Sequence, residues 1–122
     1  MKRILIIDDD VHLLKMMREM LERAGYEVDA AVDGDEGIRC YRARPADLVI
    51  TDIIMPKKEG IETIMTLKRE FPDVKIIAQS GGGRVSADDY LEIAQKIGVR
   101  QTLNKPIARQ ELLDAVAGAL DG

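Results

Sequence analysis

Twice in this chain a short aliphatic stretch runs straight into an acid. Lys2 to Ile7 ends at Asp8-Asp9-Asp10, and the strand read over Asp47 to Thr51, with Leu48-Val49-Ile50 at its heart, ends at Asp52. A carboxylate cannot continue a core strand without a large desolvation cost, so each acid marks the end of a buried strand. The segments between and after these runs read as an alternation of helices and strands. From Val11 to Ala24 the residues Leu13, Leu14, Met17, Met20, Leu21 and Ala24 recur at helical spacing, with Gly25 as a stop. Tyr26, Val28 and Ala30 alternate with Glu27 and Asp29, which predicts a half-buried strand at or near an edge. Asp33-Gly34 then opens a helix to about Arg42.

Beyond Asp52 and the loop Ile53 to Gly60, a helix is predicted over Ile61 to Glu70, stopped at Phe71-Pro72. Val74 to Ala78 reads as the fourth strand and empties into Gln79-Ser80-Gly81-Gly82-Gly83. The next helix starts near Ser86, whose spacing to Asp89 suits a capping box, and ends at Gly98. Val99 to Leu103 is the fifth strand, Asn104-Lys105-Pro106 follows, and a last helix runs through Leu112, Leu113, Val116 and Leu120. Five strands alternating with five helices predict an α/β fold, a doubly wound five-stranded parallel sheet covered on both faces. The more apolar first, third and fourth strands belong in its centre, giving the flavodoxin-like order 2-1-3-4-5.

The 122 residues suit one domain, 1–122, and the balance of 46% hydrophobic to 33% charged residues is that of a globular protein. No apolar run approaches the roughly 18 residues of a membrane helix, and four aliphatic residues after Lys2-Arg3 are too few for a secretory signal. A cytoplasmic protein is expected. A net charge of −4, with the Lys and Arg residues scattered, argues against direct nucleic-acid binding. Cys40 is the single cysteine, without a metal-site spacing, and reads as packing.

In an open parallel sheet the strands all end at one rim, which gathers Asp8, Asp9, Asp52, Ser80 and Lys105. Three carboxylates flanking the switch point between the first and third strands repel one another unless a cation joins them. A hard divalent ion such as Mg²⁺, which keeps open positions for water or a phosphoryl group, fits such a set. Asp9 and Asp52 are the expected ligands, with Asp8 acting mainly through water. Lys105 and Ser80 offer a positive charge and a hydroxyl donor for phosphoryl oxygens, and Asp52, standing between the acidic pair and Ser80/Lys105, is the expected nucleophile.

The segments Ile6-Ile7-Asp8-Asp9, Thr51-Asp52-Ile53-Ile54-Met55-Pro56, Ser80-Gly81 and Lys105-Pro106 closely resemble, in order and spacing, the response-regulator receiver domain of two-component signalling. The resemblance covers the whole chain and implies a single-domain regulator like those of chemotaxis. It implies that Asp52 accepts a phosphoryl group from the phosphohistidine of a sensor histidine kinase or a histidine phosphotransfer protein. By the same resemblance Asp8, Asp9 and Asp52 hold Mg²⁺ (or Mn²⁺) with the backbone carbonyl of Ile54. Ser80, Gly81 and Lys105 would bind the phosphoryl oxygens, Ile54 and Gly82 would flank the acyl phosphate, and the Lys105-Pro106 bond would be cis.

Three departures qualify the match. The switch position, aromatic in many members, is Thr102, so signal transmission needs another device. Three glycines follow Ser80, which suggests that phosphorylation orders the loop before the fourth predicted helix. Nothing follows the fifth predicted helix, so no output domain is expected, and the signal would leave through docking of a downstream protein, through phosphoryl transfer, or through a phosphorylation-dependent dimer. The docking face would be the loop before the fourth predicted helix with that helix, the fifth strand and the fifth helix.

Simpler readings stand beside these. Asp10 reads as a helix cap, His12 as an exposed first-turn residue, Met16, Met17, Met20 and Met65 as core filling or helix face, and Met55 as a loop anchor. The rival function is a haloacid-dehalogenase-like phosphatase, with Asp8 as nucleophile and Asp10 as acid/base. A flavin binder, the third reading, would lack aromatics at the strand ends.

Overall fold

The computed structural model of the protein describes residues 1–53, 59–80, 98–104 and 107–121. Five strands, β1 (Arg3–Ile7), β2 (Glu27–Ala31), β3 (Leu48–Asp52), β4 (Ile76–Ser80) and β5 (Gln101–Asn104), form one parallel sheet in the order β2-β1-β3-β4-β5. Four helices are described, α1 (Val11–Arg23), α2 (Gly34–Ala43), α3 (Glu59–Glu70) and α4 (Arg109–Asp121). The helix expected over 86–98 lies outside the described residues, apart from its stop, Gly98, which has a φ of 92°. The doubly wound architecture and strand order match the expectation.

Side-chain alternation divides the core into two layers. Ile4 and Ile6 of β1, Leu48 and Ile50 of β3, Ile77 of β4 and Leu103 of β5 pack against Leu14, Met17 and Leu21 of α1 and Leu112, Val116 and Ala119 of α4. The intervening residues Leu5, Ile7, Val49, Ile76 and Ala78 face Tyr41 of α2 and Ile64 and Leu67 of α3. β1 and β3, covered on both faces, therefore carry the aliphatic runs Ile4–Ile7 and Leu48–Ile50. β2 occupies an edge, as its alternation predicted, and its acids Glu27 and Asp29 are ion-paired to Arg3 at 3.0 and 2.9 Å.

Local chemistry sets the helix ends. Asp10 caps α1 by accepting from the backbone N–H groups of His12 and Leu13, and Asp33 caps α2 through Glu36 N–H. Gly25 closes α1 at a φ of 98°, a conformation that a side chain would strain. The Lys75 ammonium donates to the Leu120 carbonyl near the end of α4, where a positive charge suits the helix dipole. Cys40 is half-buried against the α2/α3 layer, and burial pushes its thiol pKa up, in keeping with a packing role.

Several boundaries differ from expectation, among them the start of α3, which lies at Glu59 and not at Ile61. β4 begins two residues later than read, because Val74 still belongs to the turn after α3, its N–H bonding to the Phe71 carbonyl. It also runs on through Gln79 and Ser80, where pairing with β3 and β5 overrides their loop-like composition. β5 is likewise displaced toward its C-terminal end, and Asp52 is the last residue of β3 instead of the first beyond it.

Gly60 shows how closely α3 approaches β3. A Cβ there would lie 2.4 Å from the Asp52 carbonyl oxygen and 2.3 Å from Ile53 Cα, both rigid backbone. Gly60→Ala is expected to lose about 1–3 kcal/mol, as overpacked cores do. Gly118→Ala, in α4 with nothing within 4 Å of the new methyl, should gain about 0.5–1 kcal/mol. Urea midpoints of the two variants check the contrast.

Arg42 of α2 forks onto Glu70 of α3, with its Nε 2.8 Å from Oε1 and its Nη2 on Oε2. The hydrogen bond from Arg42 holds the Glu70 pKa below its ordinary value. A depressed folded-state pKa contributes stability above the unfolded value, near pH 4.3 on the usual scale, and that contribution fades as pH falls through the folded value. Glu70→Gln should therefore flatten the acid limb of the stability curve below about pH 4.3, which denaturant midpoints across that range would reveal.

Candidate functional site

The rim at the carboxyl ends of the strands is built around Asp8. Its backbone N–H bonds to the Ala31 carbonyl at 3.0 Å, which carries the β1–β2 ladder one residue past the strand. The next residue on the face that bears Ile4 and Ile6 is therefore a carboxylate with no solvent exposure. Such a group persists only if it is well satisfied. Its Oδ1 accepts the Asp10 N–H at 2.8 Å, and its Oδ2 accepts the Gln79 Nε2 at 3.0 Å.

Asp52 continues the same row on β3. It follows Leu48 and Ile50 on that face, lies in register with Gln79 of β4 and is nearly as buried as Asp8. Thr51 Oγ1 donates to the Asp52 carbonyl at 3.1 Å, and Gly60 leaves room for α3 to rest against that carbonyl. Asp9, by contrast, is exposed at the mouth of the rim. One oxygen from each of Asp8, Asp9 and Asp52 lies within 4.8 Å of the others. The expected convergence of the three carboxylates is thus present.

Like charges about 4 Å apart near a protein surface repel by about 4 kcal/mol, a repulsion that a bound cation would relieve. The donor set consists of hard carboxylate oxygens, two of them on rigid strand ends. Three carboxylate oxygens within 4.8 Å of one another are near enough for one small divalent cation to draw together. The residues therefore fit a small divalent cation that keeps part of its water shell.

The structure places Ser80 at the end of β4, paired with Asn104 of β5 at the same rim. Thr102 lies half-buried in β5, opposite Ala78. Ile54, Gly81, Gly82, Lys105 and Pro106, with the loop after Ser80, lie outside the described residues. His12 is exposed on α1 and Asp10 is engaged in the α1 cap, as read from the sequence.

Gln79 is the residue that the sequence reading missed. Its composition reads as loop with Ser80 and the glycines, yet it is a strand residue with no solvent exposure. The available signal was its parity with Ile77, which places its side chain on the face of the buried acids.

Comparison with known proteins agrees with this geometry. Chemotaxis protein CheY of Treponema pallidum is 32% identical over 121 residues, covering 97% of this chain and 82% of that protein. Chemotaxis protein CheY of Thermotoga maritima is 33% identical over 116 residues, covering 94% of each. The crystal structure of a response regulator receiver domain protein from Clostridium thermocellum superposes with a TM-score of 0.90 at 32% identity, over 99% of this chain and 95% of that one. The profile of the response regulator receiver domain matches residues 4–117, nearly from end to end, and the chain belongs to that family of phosphoacceptor switches of two-component signalling.

Proposed function

We propose that Asp52 is the phosphoacceptor of this receiver domain. The observation that carries the reading is the placement of Asp52, on a rigid central strand, within 4.8 Å of two further carboxylates. In the transfer, an Asp52 carboxylate oxygen forms a bond to phosphorus while the P–N bond of a phosphohistidine breaks. The imidazole leaves with the bonding electron pair and regains a proton from solvent. Two-component signalling makes a sensor histidine kinase or a histidine phosphotransfer protein the expected donor.

Asp8, Asp9, Asp52 and the Ile54 carbonyl would hold Mg²⁺ or Mn²⁺, which supplies charge neutralisation for the approaching phosphoryl group. The chain's own residues do the rest. Burial of Asp8 and Asp52 keeps their carboxylates fixed, so little reorganisation accompanies the reaction. Ser80, Gly81 and Lys105 are assigned to the phosphoryl oxygens, and Thr102 to the switch position. The downstream target would read the face that contains β5 and α4, together with the helix expected over 86–98.

Among the described residues no helix is long and apolar enough to cross a membrane, which is compatible with action in the cytoplasm.

Intact mass after brief exposure to a small phosphodonor and Mg²⁺ tests the assignment. One phosphoryl group should appear, borohydride trapping should place it on Asp52, and Asp52→Asn should abolish it. Asp8→Asn should slow labelling by about tenfold or more, and chelation should suppress it in the wild type. A label on Asp8 that survives Asp52→Asn would overturn the reading in favour of phosphatase-type chemistry.

A further inference from the structure

A glutamine is an unusual occupant for the position that Gln79 holds. The side chain is fully buried on the sheet face shared by Ile77, where an aliphatic residue would pack at no polar cost. Burying a primary amide is unfavourable unless both of its ends are paired. Here Oε1 has no hydrogen-bond partner among the described residues. Packing therefore gives no reason for an amide at this position, and the reason has to lie with the other end.

That end donates from Nε2 to Asp8 Oδ2 at 3.0 Å. The orientation is chemically fixed, because the reverse would set the amide oxygen against a carboxylate oxygen, two acceptors facing each other. The Asp10 N–H holds the other Asp8 oxygen at 2.8 Å, so the carboxylate is gripped from the start of α1 on one side and from β4 on the other. Met17 of α1 braces the amide, its sulfur 3.9 Å from Nε2. A lysine here could also reach toward Asp8, but its charge would compete with a cation. A neutral amide orients the carboxylate and leaves the negative charge of the cluster intact.

We propose that Gln79 is a positioning residue for the acidic cluster, holding Asp8 in the orientation that binds a divalent cation. The proposal rests on the reading of Asp8, Asp9 and Asp52 as a Mg²⁺ site. Partners that orient metal ligands in this way usually change affinity by about 10–100-fold when removed.

The test is calorimetric titration of MgCl₂ into the unphosphorylated wild type and into Gln79→Met, which keeps the length of the side chain and lacks the donor. Gln79→Met should bind Mg²⁺ about tenfold or more weakly. The Mg²⁺ concentration that half-saturates labelling by a small phosphodonor should rise by the same factor, while the rate at saturating Mg²⁺ stays within about threefold of wild type. A merely structural role would reduce the fraction of protein that labels without moving the half-saturating concentration. Should Gln79→Met fail to fold, Gln79→Asn draws the amide back by one methylene and is expected to weaken Mg²⁺ in the same direction. Mg²⁺ affinity within about twofold of wild type in the folded variant would overturn the role of Gln79 and leave the metal site standing. A wild type that neither binds Mg²⁺ nor labels would overturn both.

Discussion

Asp8 is a carboxylate cut off from solvent, and the rim of the sheet is organised around its satisfaction. Its backbone extends the pairing with β2, one side-chain oxygen is taken by the first turn leading into α1, and the other by a side chain from β4. Two separate elements hold the carboxylate and a third pairs its backbone, and all have to be in place before this one residue is tolerable. Their cooperation fixes the carboxylate in the folded chain, and under the proposed function a fixed carboxylate is what the metal-dependent phosphoacceptor site would need. On that reading stability and function draw on the same hydrogen bonds.

The scaffold below the rim explains why the site can be rigid. Each central strand is covered on both faces, by α1 and α4 on one side and α2 and α3 on the other. The positions that carry the acids continue the rows that pack the first of these layers: Ile4, Ile6 and Asp8 on β1, and Leu48, Ile50 and Asp52 on β3. A shift of register by one residue would turn the acids to the opposite face and break the core at the same time. The core therefore fixes the direction of the carboxylates as well as their depth. Gly60 adds to this, because only a residue without a side chain lets α3 close against the end of β3.

Much of this was legible in the chain. The aliphatic runs ending in acids marked β1 and β3 because hydrophobic burial and carboxylate desolvation have opposite signs and change abruptly between neighbouring residues. Helical spacing from Leu13 to Leu21 and the stop at Gly25 marked α1, and the alternation around Val28 marked an edge strand. Legibility failed where local composition and tertiary pairing disagreed. Gln79 and Ser80 precede three glycines and look like loop, yet the backbones of β3 and β5 draw them into the sheet. Val74 looks like strand but its N–H is bonded within the turn after α3.

The sequence by itself determined the fold class, the order of the strands and the gathering of Asp8, Asp9 and Asp52 at one rim, since these follow from hydrophobic periodicity and from the geometry of parallel sheets. Tertiary structure alone decided how Asp8 is held. The partnership with Gln79 joins residues 71 positions apart, through two strands that do not pair directly with each other, and no local pattern encodes it. A hydrogen bond depends on distance and angle in three dimensions, and those exist only once the sheet has assembled.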